Sequence, residues 1–247
     1  MNRPSGEAAV ATDAWRVCVE PDGCTGAENM ALDQALLDEA AAQGTATLRL
    51  YRFNPSCLSL GRNQKDLHPD GVDVVRRPTG GGAVWHEHEV TYAVAAPIEP
   101  FGSLRAAYHA IHALIATALR TLGVEATLAP HRRLIPPSPH PTVACFSTPI
   151  GGEILANGRK LVGSAQLRQG PAFLQHGSIL LDGTQEMVAR VGCGTWDGYE
   201  TTLRTVLGRV AGFEEVATAV VDAFADRLTA ASSDRRFIRP PPILARP

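Results

Sequence analysis

Three consecutive glycines, Gly80, Gly81 and Gly82, interrupt the chain between an apolar segment ending at Val75 and a second one beginning at Val90. Glycine takes positive φ readily and carries no side chain, so a triplet forms a turn whose main-chain N–H groups lie open to whatever packs against it. The stretch from Arg76 to Tyr92 therefore reads as a turn between strands, with Arg76 and Arg77 placing two forked cations at its entrance. Such a loop suits a carboxylate, a phosphate or an acyl chain. Taken alone, the triplet fits equally well a tight hairpin turn beside two solvated arginines.

The rest of the chain supplies alternating strands and periodic helices around this turn. Trp15 to Val19 alternates as a strand does, with Asp22-Gly23 as a turn, and Glu28 to Ala42 carries Met30, Leu32, Leu36 and Leu37 among alanines at helical spacing. Thr47 to Phe53 and Cys57 to Leu60 read as two strands joined at Asn54-Pro55. Leu104 to Leu122 reads as a helix stopped by Gly123, with His109 and His112 at its solvent edge. Five prolines between Ala129 and Pro141 exclude regular structure there and predict a long surface loop. Asn157-Gly158 is a strong hairpin signal, Phe173 to Leu181 a further strand, and Val216 to Ala230 a helix. This pattern predicts a tail over residues 1–13, a single α/β domain of the α+β type over 14–235 with a mixed, largely antiparallel sheet flanked by helices, and a proline-rich tail over 236–247.

Composition narrows the function classes. With 45% hydrophobic and 19% charged residues the chain is that of an ordinary globular protein, and a net charge of −2 gives no footprint for nucleic acid. No apolar run reaches membrane-spanning length and the first residues lack a signal peptide's apolar core, so a cytoplasmic protein is expected. The five cysteines, Cys18, Cys24, Cys57, Cys145 and Cys193, form neither a paired zinc motif nor a disulfide framework. His86 and His88 lack a further clustered ligand, so no metal site is predicted.

Two downstream stretches give the glycine turn a context: Asn157-Gly-Arg-Lys-Leu-Val-Gly-Ser-Ala-Gln166 and Gln175-His-Gly-Ser-Ile-Leu-Leu181. With Glu28 to Leu36, Ser59-Leu-Gly-Arg-Asn-Gln64 and the Arg-Arg-Pro-Thr-Gly-Gly run, they resemble, in order and from about Asn29 to Leu181, the lipoate ligase and octanoyltransferase family. That family shares its catalytic fold with biotin protein ligases, although no glycine- and arginine-rich biotinyl-adenylate loop is present here. The resemblance implies that Arg77, Thr79, Gly80, Gly81, Gly82, His86, Gln166 and His176 shape an acyl pocket together with Gly163, Ser164 and Ala165, and that Lys160 reaches into the active site. His88 is expected at the surface or behind the pocket wall.

Two reactions are open on such a scaffold. An ATP- and magnesium-dependent ligase makes an acyl-adenylate; an octanoyltransferase needs no cofactor and carries the acyl group on a cysteine. Cys145, in the context Cys-Phe-x-x-Pro, matches the nucleophile of the cysteine-dependent, lipoate-ligase-like octanoyltransferases, and Lys160 beside it would lower its pKa. Cys193-Gly194 is the competing candidate, since another octanoyltransferase branch places its cysteine before a glycine at a similar remove. Gly82 stands where octanoyltransferases often have arginine, as in many ligases, whereas the short stretch after the catalytic part leaves little room for the ligases' accessory domain. The expected partners are octanoyl-acyl carrier protein as donor and a lipoyl-accepting protein, such as a glycine cleavage H protein or a dehydrogenase E2 domain, as acceptor. A non-catalytic acyl-binding protein is the remaining alternative.

Overall fold

The computed structural model describes residues 15–130, 146 and 151–230. From residue 131 on, the expected proline-rich loop lies outside the described residues, as do Cys145, Pro149 and both expected tails.

The chain opens with a strand, a helix and a parallel strand. β1 (Trp15–Cys24) leads into α1 (Gly26–Gln43), which returns the chain to β2 (Ala46–Phe53) alongside β1. A parallel pair requires such a crossover, and the helix supplies it. Thr25 and Glu28 form a reciprocal capping box at the start of α1, and Gly44 ends the helix in the left-handed conformation. The turn expected at Asp22-Gly23 does not end β1. The strand continues to Cys24, absorbing Gly23 at positive φ as an irregularity in its pairing with β2.

β6 (Glu89–Pro97), β7 (Ala126–Leu128), β8 (Ile154–Ala156), β9 (Arg159–Gln169) and β10 (Ala172–Leu180) complete a seven-stranded sheet ordered β1-β2-β6-β10-β9-β8-β7. All its pairings except β1 with β2 are antiparallel, as the sequence predicts. Asn157 (φ 50°) and Gly158 (φ 73°) turn β8 into β9 with two consecutive left-handed residues, which is why Asn-Gly suits this position. The strands expected on either side of Asn54-Pro55 both form but do not pair. β3 (Cys57–Leu60) leaves the large sheet and joins β4 (Asp73–Arg76) and β5 (Val84–His86) in a small sheet of its own.

Each face of the large sheet has its own cover. α2 (Leu104–Thr121) and α5 (Phe213–Ala230) pack against Leu48, Leu50, Val90, Tyr92 and Val94 on one face, while α1 packs against Tyr51, Phe53, Ala93 and Ala95 on the other. Alternation along β6 explains the division, since Val90, Tyr92 and Val94 point one way and Ala93 and Ala95 the other, where the small side chains let α1 approach. Two shorter helices, α3 (Glu186–Arg190) and α4 (Leu203–Leu207), lie between β10 and α5 in the chain.

The buried stripe of α1 contains a charge. Met30, Leu37 and Ala40 face the sheet, and so does Asp33, at 0% exposure. Arg49 of β2, itself 1% exposed, donates through Nη1 to Asp33 Oδ1 (2.9 Å) and through Nη2 to Asn29 Oδ1 (2.7 Å) and Glu20 Oε2 (2.6 Å), while Tyr51 donates its hydroxyl to Asp33 Oδ2 (2.9 Å). Removing one partner of a fully buried ion pair strands the other charge and costs about 3–5 kcal/mol. Asp33→Ala is therefore expected to lower the urea unfolding free energy by that order, whereas Arg209→Ala, which breaks the exposed pair with Glu215, leaves the unfolding midpoint unchanged.

Candidate active site

The cleft lies where the two sheets face each other. Its wall is built from Met30 of α1, Tyr51 and Phe53 of β2, Val84 and His86 of β5, and Gly163 to Ala165 and His176 to Ser178 of the β9–β10 pair. Ser59, Arg77 and Thr91 complete the lining. Phe53 stacks on the His86 ring at 3.9 Å between centroids, which leaves a largely apolar surface over a polar support.

Two hydrogen-bond chains hold the polar side chains of that wall. In the first, His176 donates from Nδ1 to Asp33 Oδ2 (2.9 Å), so its Nε2 is free to accept from the Thr79 hydroxyl (2.6 Å). In the second, His86 donates from Nδ1 to Glu89 Oε1 (2.5 Å), Ser59 donates to His86 Nε2 (2.7 Å), and Thr91 also donates to Glu89. Both imidazoles are thus fixed in one tautomer by a buried carboxylate. His86 and His176 line the cleft as expected, whereas His88 is exposed.

Arg77 belongs to the cleft lining, as expected, and also braces the glycine turn. Its guanidinium turns inward, donating to Ser59 O (3.1 Å), Gly80 O (2.8 Å) and Gly82 O (2.6 Å), while Gly81 O packs so closely on Gly61 that a Cβ there would overlap it. The carbonyls of the glycine turn thus point into the protein. Because a trans peptide opposes its C=O and N–H, the N–H groups of Gly81 and Gly82 face the other way. Thr79 and the three glycines therefore frame the cleft from behind, and none of the four belongs to its lining.

Lys160 of β9 is fully buried and pairs at 2.7 Å with Glu153, the residue before β8. The ring of Phe146 lies 5.1 Å from Lys160 Nζ. A Cβ at Gly163 would fall within 2.9 Å of that ring and 3.1 Å of Lys160 Cε, so only glycine lets both pack against this part of the wall from behind; Lys160 itself is not in the lining, contrary to the expectation that it reaches into the site. Glu153 went unrecognised in the sequence. It lies just before β8, outside the paired register in which Leu155 faces Lys160, so the hairpin alone did not point to it.

Ser164 and Gln166 belong to a third chain, which also overturns the solvent-edge expectation for His112. Gln166 Nε2 donates to Gln175 Oε1 (2.9 Å), Gln175 Nε2 to the Tyr92 oxygen (2.9 Å), Tyr92 to Ser164 Oγ (2.6 Å), Ser164 to His112 Nε2 (2.8 Å), and His112 Nδ1 to Gly152 O (2.6 Å). The carbonyl at the end can only accept, and this fixes the direction of every bond before it. His112 is 0% exposed because α2 lays it on the β9–β10 hairpin, where it has partners. Burial, with smaller contributions from the Lys160 and His109 charges, lowers its pKa to about 4 against the opposing bond to Gly152.

The four described cysteines are free thiols, and none lines the cleft. Burial raises Cys18, Cys24, Cys57 and Cys193 alike. Cys193 packs beside the small sheet, with Gln64 Nε2 3.8 Å from its sulfur. No cluster of His, Cys, Asp or Glu suited to a metal occurs among the described residues, and no described helix is long and apolar enough to cross a membrane.

An apolar cleft between two sheets, backed by a glycine turn and bordered by the β9–β10 hairpin, occurs on a known fold. A bi-partite lipoate protein ligase from Thermoplasma acidophilum, solved with its E2 lipoyl domain, superposes with a TM-score of 0.68 at 17% identity, covering 93% of this chain and 87% of that one. Residues 25–225 match the lipoyl protein ligase A/B catalytic domain, and the chain belongs to that family. It is 36% identical over 245 residues to a protein of Kyrpidia tusciae named octanoyltransferase LipM, covering 87% of this chain and 88% of the relative. A Geobacillus kaustophilus protein of the same name is 39% identical over 196 residues, covering 72% and 69%.

His112 gives the site a pH signature. The unfolded chain binds the imidazole proton near 6.5 and the folded one near 4, so between these values the unfolded state holds the extra proton and stability falls as pH drops. The contribution is complete above about pH 6.5, and its loss by about pH 4 amounts to roughly 3 kcal/mol. Denaturant unfolding of the wild type should show this decline, and His112→Gln should flatten it. Parallel pH slopes for the two proteins would mean that the folded ring is protonated.

Proposed function

We infer that the chain is an octanoyltransferase of protein lipoylation, taking an octanoyl thioester from acyl carrier protein and passing it through Cys145 to a lysine of a lipoyl-accepting protein. The observation that carries this reading is identity above one third, along most of the chain, to relatives named octanoyltransferases. The acceptor class is supported by the E2 lipoyl domain solved with the Thermoplasma ligase.

Two features of the described residues support this reaction. The apolar cleft suits an octanoyl chain, whose six methylenes would contribute on the order of 5 kcal/mol on burial. Cys145 is the chain neighbour of Phe146, whose ring lies beside the Lys160 ammonium. A thiolate next to Phe146 in the chain would be balanced by Lys160, in contrast to the four thiols whose pKa burial raises. In the first step the Cys145 thiolate adds to the thioester carbonyl, a new C–S bond forms, and the bond to the carrier sulfur breaks; the carrier leaves as a thiol after taking up a proton. In the second, the neutral amine of the acceptor lysine adds to the acyl-enzyme, the C–N bond forms, the C–S bond breaks, and the amine proton goes to the returning Cys145 thiolate. Lys160 offsets the sulfur's negative charge in both steps, with Glu153 holding its ammonium in place. No nucleotide enters this scheme, because the thioester arrives already activated.

Intact-protein mass after incubation with octanoyl-acyl carrier protein, without ATP, tests the reading. One octanoyl adduct is expected, removed by hydroxylamine, lost in Cys145→Ala and retained in Cys193→Ala. Transfer only when ATP and free acid are supplied would assign the chain to the ligases instead.

A further inference from the structure

Beside the cleft, and sharing Met30 and Arg77 with its wall, lies an open groove that the octanoyl chain does not require. Met30, Ala31 and Gln34 of α1 form one side, and Arg62, Arg76, Arg77 and Pro78 form the other. Three arginines are among the residues of a groove whose lining contains no carboxylate, in a chain whose net charge is −2. They are not equivalent. Arg77 is turned inward to the glycine turn, whereas Arg76 donates from Nη1 to Gly61 O (2.7 Å) and pairs through Nη2 with Asp66, an exposed residue. Arg62 is exposed, and its side chain makes no hydrogen bond or ion pair among the described residues.

We propose that this groove is the docking site for the phosphodiester of the pantetheine-type arm that delivers the acyl thioester, with Arg62 as the principal binding cation and Arg76 supporting it. The proposal rests on the thioester-donor reading above. With the acyl chain in the cleft, the rest of the donor's arm has to leave over the adjoining surface, and the groove continues the cleft wall in that way. Its α1 side is uncharged, which suits the amide-containing middle of such an arm. Its arginine side presents forked donors that match phosphate oxygens better than a point charge does. The same charges disfavour the acceptor, whose reacting group is a lysine amine, so the groove is assigned to the donor.

Steady-state kinetics with three octanoyl donors test the assignment: the acyl carrier protein, coenzyme A, which has the phosphates without the carrier protein, and pantetheine, which has neither. Arg62→Glu is expected to raise KM for the first two at least ten-fold with kcat unchanged, the order of one lost charge-assisted hydrogen bond, and to change turnover of octanoyl-pantetheine less than two-fold. Its KM for octanoyl-coenzyme A should also depend less steeply on salt than that of the wild type, while Arg209→Glu, a remote charge reversal, leaves all three donors alike. Equal losses on the three donors would indicate a structural role for Arg62, a loss confined to the carrier would indicate a contact with the carrier's protein surface, and no change while the wild type turns over would leave the groove unused; each overturns the proposal. A wild type inert towards all three thioesters would instead overturn the octanoyltransferase reading and this inference with it.

Discussion

One fully buried carboxylate joins the elements on which the site depends. Asp33 receives Arg49 and Tyr51 from β2 and His176 from β10, so a single side chain of α1 fixes the helix against two strands of the large sheet. A charge at that depth is tolerable only because the guanidinium is equally buried and its other donors are met by Asn29 and Glu20. Beyond His176 the same connection passes to Thr79, whose carbonyl accepts the Arg62 N–H at 2.8 Å. The helix, the hairpin and the glycine turn are therefore placed relative to one another by polar contacts of defined direction, and the apolar core fills the space between them.

The glycines act where two pieces of backbone or a side chain must approach closely. Gly61 admits the carbonyl of Gly81, Gly163 admits Phe146 and Lys160, and a Cβ at Gly177 would overlap Ser164 Oγ and the Gly163 carbonyl. In each case the glycine belongs to a sequence motif that reads at first as a ligand-binding signature. Its structural contribution is closeness, bringing the walls of the cleft near enough to enclose a chain one methylene wide.

Much of this was legible in the sequence where the signal is local. Asn157-Gly158 announced its hairpin because few other residue pairs adopt two left-handed conformations in succession, and α1 and α2 followed from apolar spacing. Asp33 could have been found the same way, since it lies three residues after Met30 and four before Leu37, on the stripe that must be buried. The direction of Arg77 was not legible, because its target is a set of carbonyls exposed only once the glycine turn has closed. His112 was misread for a similar reason: its apolar neighbours Ile111 and Ile115 mark the buried face, but the partners that allow an imidazole beside them come from a hairpin some forty residues further on. The small sheet was also beyond a local reading. Nothing in the alternation of β3 says that it pairs with β4 and β5 rather than with β2.

That small sheet gives the cleft its character. The large sheet and the small one are each hydrogen-bonded within themselves, and the lining between them is contributed by both. An alkyl chain seated there occupies the position that a side chain would take in an ordinary sandwich core, touching Phe53 on one side and Val84 on the other. On the octanoyltransferase reading the acyl group would act as a removable core residue: loading it would complete the packing between the layers, and releasing it to the acceptor would take that packing away. The loaded protein would accordingly be more stable than the empty one, and each turnover would carry the molecule once through that change.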